Sequence, residues 1–136
     1  MAIIKDLEIK INGDKANFSE KFYIYQNDRG ISLNIKVTVP KLQISRRNTS
    51  LLSELGGAIC KAIILKPNQE VIGRDNIVIS DDMIIFTIDH DLTDNLDEVG
   101  IYKIQFHLYD SEDNRITIPP VEFEVKGLIG IIPNTR

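Results

Sequence analysis

Apolar and polar residues alternate with a period of two along most of this chain. Leu7, Ile9 and Ile11 are separated by Glu8 and Lys10, and Ile31, Leu33, Ile35, Val37 and Val39 alternate with Ser32, Asn34, Lys36 and Thr38. Further on, Tyr102, Ile104, Phe106 and Leu108 alternate with Lys103, Gln105 and His107, and Val121, Phe123 and Val125 with Glu122, Glu124 and Lys126. Successive side chains of a strand point to opposite faces, so each run predicts a strand with one face on a core. A slip of one residue would invert the whole Ile31–Val39 set, so its register is predicted to be firm.

Shorter segments fit the same frame. Phe22-Tyr23-Ile24-Tyr25 reads as a short strand, as do 58–65, 76–79, Met83–Ile88 and 115–118. Asn12-Gly13-Asp14, Asn27-Asp28-Arg29-Gly30, Ser80-Asp81-Asp82 and Asp110-Ser111-Glu112-Asp113-Asn114 read as turns. Pro40 closes one strand, and Pro119-Pro120 point to an edge or a strand start. Residues 49–55 suit one or two helical turns, with a hydroxyl N-cap and Gly56-Gly57 as terminator. About eight short strands at intervals of ~8–12 residues predict an all-β sandwich or barrel. Asp97-Glu98-Val99-Gly100-Ile101-Tyr102 enters its long strand in the manner of a tyrosine corner, which favours an immunoglobulin-like antiparallel β-sandwich.

Composition narrows the function classes. The 136 residues are read as one domain, 1–136, and an apolar fraction of 43% is ample for its core. Against 16 basic residues stand 20 acidic ones, for a net charge of −4. No basic stripe appears, so no nucleic-acid partner is expected, and Arg46-Arg47 is read as a solvated loop. No apolar stretch approaches the ~20 residues of a membrane helix, so no membrane role is expected. Met1-Ala2-Ile3-Ile4 runs at once into Lys5-Asp6, which reads as a chain without a signal peptide, made in the cytoplasm. The single cysteine, Cys60, excludes an intrachain disulfide and is read as a small buried hydrophobe.

His107 lies on the polar side of its strand and reads as a solvated imidazole. Asp89-His90-Asp91, followed by Asp94, Asp97 and Glu98, is the best metal candidate, but its spacing matches no calcium loop, so no metal is expected. No nucleophile, base and orienting group suggest themselves, and Glu54-Leu55-Gly56-Gly57 lacks the lysine of a phosphate cradle. No cofactor and no enzymatic activity are therefore expected. A sugar platform would have to use Tyr23, Tyr25 and Tyr109. These are read as inner-face packing with hydroxyls at the rim.

Four segments in order carry a resemblance: Phe22-Tyr23-Ile24-Tyr25-Gln26-Asn27-Asp28 with the strand after it; the apolar strand ending in Lys66-Pro67; Val99-Gly100-Ile101-Tyr102-Lys103-Ile104-Gln105-Phe106-His107-Leu108-Tyr109-Asp110; and Arg115-Ile116-Thr117-Ile118-Pro119-Pro120-Val121-Glu122-Phe123-Glu124-Val125. Together they resemble the N-terminal domain of the phage baseplate upper protein family, over about residues 3–132. The resemblance implies an immunoglobulin-like sandwich that docks onto the central hub of a phage or prophage tail baseplate. Later parts of such proteins trimerise and carry the receptor-binding or tail-fibre assembly. It therefore implies a structural virion protein whose partners are other baseplate proteins and, in the full-length protein, copies of itself. Asn68-Gln69 replaces the Asp-Gly that usually follows Lys-Pro. Residues 127–136 then read as the start of a linker to a C-terminal part.

Two apolar segments are nominated for partner binding. One is the tail, with Leu128, Ile129, Ile131 and Ile132, because contiguous exposed apolar residues mark interfaces. The other is the loop 41–57, with Leu51, Leu52 and Leu55, because long loops in compact domains are often functional. The alternative reading is a carbohydrate-binding accessory module in host-surface recognition.

Overall fold

The structure is a computed structural model and describes residues 3–39, 49–50, 59–109 and 115–128. Among these residues the chain makes eleven strands and one short helix. The strands are β1 (Ile3–Asn12), β2 (Lys15–Phe18), β3 (Tyr23–Tyr25), β4 (Ile31–Val39), β5 (Thr49–Ser50), β6 (Ile59–Leu65), β7 (Val71–Ser80), β8 (Met83–Ile88), β9 (Gly100–Tyr109), β10 (Arg115–Thr117) and β11 (Val121–Lys126). The helix, α1 (His90–Asn95), lies between β8 and β9.

These strands form one curled mixed sheet in the order β2-β1-β4-β8-β7-β6-β9-β11-β3, with β5 beside β4 and β10 beside β9. β7 belongs to both halves. Its last residues, Val78 to Ser80, pair with β8, while the stretch from Val71 to Ile77 pairs with β6 across a register shift near Cys60. Most neighbours are antiparallel, but β1 runs parallel to β4 and β3 parallel to β11. The expectation of an all-β chain is met.

The alternating runs explain the core. Leu33, Ile35 and Val37 of β4 are buried with Leu7 and Ile9 of β1 and Ile84, Phe86 and Ile88 of β8. Facing them are Tyr102, Ile104, Phe106 and Leu108 of β9 and Val121, Phe123 and Val125 of β11. Phe86 and Phe106 meet edge to face across the halves, with centroids 5.8 Å apart. Each such side chain contributes roughly 1.5–3 kcal/mol by leaving water, which fixes the register that periodicity alone implied.

Several local expectations are corrected. β2 has no counterpart in the sequence reading, because only Ala16 and Phe18 turn toward the core. β7 is ten residues long, although alternation marked only its second half. Thr49 and Ser50, expected to cap a helical turn, are instead extended and pair with Val39 and Thr38. Residues 51–55 lie outside the described residues. Residues 90–95, part of the acidic segment weighed as a metal candidate and not predicted as a helix, are helical.

Candidate functional site

The most heavily bonded part of the described chain is the corner from β8 through α1 to β9. The local sequence dictates its shape. The Asp89 carboxylate accepts a 2.9 Å hydrogen bond from the Leu92 amide, which satisfies one of the free N–H groups at the start of α1. Leu92 and Leu96, four residues apart, fall on one face and are both buried in the core. The Leu96 amide closes the helix on the carbonyls of Leu92 and Thr93. Bonded by the Leu92 amide and by Arg74, Asp89 is held below the usual carboxylate range.

Segments distant in sequence are tied to this corner. The Arg74 guanidinium on β7 donates to Asp89 at 2.9 Å. The Thr93 hydroxyl donates to the Asp28 carbonyl, and the Gln26 amide donates to the Asp97 carbonyl. Lys66 is only 8% exposed, and its ammonium reaches Asp97 at 2.9 Å and Glu70 at 3.5 Å. The Lys66–Asp97 bond raises the lysine pKa above its ordinary range and lowers that of Asp97. Tyr102, fully buried, accepts a hydrogen bond from the Glu98 amide and donates one to the Glu98 carbonyl. Burial also pushes the pKa of its phenol up. The sequence reading of a tyrosine corner thus corresponds to a real pair of bonds. Gly100 cannot be replaced without strain, since its φ is +146° and a Cβ there would lie 3.0 Å from Pro67.

Chemically, this constellation can hold strands together. A lysine kept in its charged form is a poor nucleophile, and Asp89 and Asp97 are each committed to a different cation. His90 is exposed at the start of α1. Among the described residues, no three His, Cys, Asp or Glu side chains are grouped to hold a metal ion. Sequence reasoning missed Lys66, Arg74 and Asp89 as a set. Only the N-cap signal of Asp89, with apolar residues three and seven positions later, could have revealed part of it.

The other nominated residues fare differently. Cys60 is fully buried, and burial pushes its thiol pKa up to about 12, as a small core residue requires. His107 is not freely solvated. It is half-buried, its Nδ1 lies 3.0 Å from the Thr117 hydroxyl, and its Nε2 is buried without a partner among the described residues. Burial and the charge of Arg115 lower its pKa. Tyr23 and Tyr25 do not pack inward. Both are exposed on the outer face, edge to face with each other, with the Lys126 ammonium 4.0 Å from the centroid of the Tyr23 ring. Tyr109 is half-buried under Lys61.

Of the partner-binding nominees, Leu128 is described and is exposed just past β11. Ile129, Ile131, Ile132, Leu51, Leu52 and Leu55 lie outside the described residues. The flanks of the two segments are nonetheless at opposite ends of the molecule. Gly127 sits beside Val99 and Gln26 at the corner end, whereas β5 and the start of β6 pair with the ends of β4 and β9 remote from it. About ten residues of β9 separate the two ends, or roughly 30 Å. The chain matches no protein-family model and no curated protein.

Proposed function

We propose that this chain is a structural module of a phage tail baseplate, a docking domain that attaches a receptor-binding or tail-fibre assembly to the baseplate hub. The observation that carries this reading is where the resembling segments meet. Gln26, Lys66, Pro67, Gly100 and Tyr102 come from three of them, and all converge on the corner through bonds and close packing. An ordered set of individually weak motifs gains weight when its members depend on one another physically.

An immunoglobulin-like arrangement is part of this reading. Its support is the pair of bonds between Tyr102 and Glu98 where the chain enters β9. The mechanism is docking by surface complementarity, with the virion as the site of action. The experiment is capture of the domain by purified baseplate hub, with Leu51→Asp and Ile131→Asp made separately. Binding by the wild type, weakened at least tenfold by one of them, is expected. A wild type that does not bind any hub component refutes the docking role.

One observation favours a second reading, a carbohydrate-binding accessory module: Tyr23 and Tyr25 are turned outward. A change in tyrosine fluorescence on titration with host cell-wall glycan, lost in Tyr25→Ala, is its test.

A further inference from the structure

We propose that the free edge of β7 pairs with the same edge of a second copy of this chain, so that the sheet runs on across a two-fold dimer. Between Val71 and Ile77, β7 pairs with β6 on one side only, and it reaches β8 only with Val78 to Ser80. The Lys66 amide donates to the Glu70 carbonyl at the head of that ladder. Ile72 and Arg74, two and four residues on, therefore also turn their main-chain groups toward β6. The N–H and C=O groups of Val71 and Gly73 point the other way, and no described residue pairs with them. Both residues are exposed. An open edge of this kind is a template for a further strand. The strands β2, β3 and β10 offer shorter rims, of three or four residues.

The order of residues along the edge identifies the occupant, because the edge is complementary to itself. Two β7 strands can ladder antiparallel only in registers that set Val71, Gly73 and Asp75 opposite residues of the same outward-bonding set. With the two-fold axis at Ile72, Glu70 stands opposite Arg74 of the partner subunit on both sides of the axis, and Ile72 meets its own copy. Val71 then lies opposite Gly73 of the partner subunit. A Cβ on Gly73 would meet nothing within 4 Å, so the valine has room there. Glycine inside a strand often marks the close approach of another backbone. Asp75 falls opposite the uncharged Gln69. With the axis at Val71 or Gly73, Arg74 would face Asn68 or Ile72. With it at Arg74 or Asp75, arginine would face arginine or aspartate face aspartate. Like charges across an interface are costly, so the charge order selects the axis at Ile72.

Both charged side chains can take up this role. The Glu70 side chain is 67% exposed and lies 3.5 Å from Lys66, whose closer partner is Asp97 at 2.9 Å. Arg74 gives one nitrogen to Asp89 and keeps its other guanidinium donors for a second carboxylate. Glu70, Ile72 and Arg74 alternate onto one side of β7, whereas Asp75, and Lys61 on β6, are exposed on the opposite side of the sheet. The dimer thus closes four backbone hydrogen bonds, between each Val71 and the opposed Gly73, and two ion pairs. So small a contact belongs to the weak, reversible class.

The test is sedimentation equilibrium of the full chain between about 5 and 500 μM, a range that spans weak dimers. The wild type is expected to dimerise. Gly73→Pro removes an N–H that the β6 ladder does not use and sets a ring against the incoming strand, so it is expected to abolish the dimer while circular dichroism stays unchanged. Glu70→Arg and Arg74→Glu are each expected to weaken the dimer at least tenfold, because each sets like charges together. An equimolar mixture of the two is expected to restore dimers, since every facing pair then joins arginine to glutamate. Should a charge variant fail to fold, Gly73→Pro decides alone. A wild type that stays monomeric at the highest concentration overturns the proposal. So does a dimer that survives Gly73→Pro, or a mixture of folded charge variants that remains monomeric.

Discussion

Two reversals of the chain lie at either end of β8, and they are held by opposite means. Before β8, Asp81 and Asp82 turn the chain within two residues, with φ of 53° and 60°, between the paired Ser80 and Met83. Positive φ at both central residues is the mark of a type I′ hairpin, whose twist matches that of the strands. After β8, the corner from Asp89 to Val99 uses a helix, two ion pairs and the Tyr102 bonds to reach β9. The first reversal stays inside one sheet and needs only local geometry. The second carries the chain from one half of the sheet to the other, where no ladder can guide it, so side chains from β7 and β9 and from the residues just after β3 and β6 must.

That contrast can be broken by substitution. Tyr102→Phe has the largest expected effect. It leaves the Glu98 amide and carbonyl without their partner, at a cost of about 2 kcal/mol in a urea melt. Asp89→Ala comes next, with a loss of about 1 kcal/mol for the N-cap, and it also frees Arg74. Asp89 and Asp97 both have lowered pKa values in the fold, so their contributions are present above the ordinary carboxylate range and fade as pH falls through it. The acid arm of a stability–pH profile should therefore flatten in Asp89→Ala. His107 adds a step at higher pH. Its folded pKa is lowered, so the unfolded chain takes up the proton first and stability drops as pH falls below the ordinary histidine range. His107→Gln should remove that step. The smallest effect is expected at the tight turn, where Asp82→Gly should stabilise by about 0.5–1 kcal/mol, by relieving a side chain at positive φ. A larger loss at the turn than at Tyr102 would reverse the contrast.

How far the sequence could be read follows from the same difference. Period-two runs such as Leu33-Asn34-Ile35-Lys36-Val37 and the stretch from Tyr102 to Leu108 declared their inner faces, and their apolar residues are in the core. Where alternation failed, structure was hidden. Val71-Ile72-Gly73-Arg74-Asp75 carries a glycine and two charges, yet it is strand because Arg74 spans to Asp89 and the segment pairs with β6. Helix α1 is six residues long, too short for a helical period to stand out, and its acidic start drew attention as a metal candidate instead of an N-cap. Tyr102 was legible as a corner because its spacing from Glu98 is local. Lys66 and Asp97 were not legible as a pair, since 31 residues separate them and only the fold brings them to 2.9 Å. Tyr23 and Tyr25 misled for another reason. Ile24 takes the inward position of a three-residue strand, and alternation then sends both tyrosines out.

Asp28 makes one last contact with a wider consequence. Its carboxylate accepts from the Tyr25 amide and its own amide donates to the Tyr25 carbonyl, so both main-chain groups of Tyr25 on the rim of β3 are already engaged. An incoming strand would find little to ladder onto there. That stretch of rim is thereby guarded against cross-β growth.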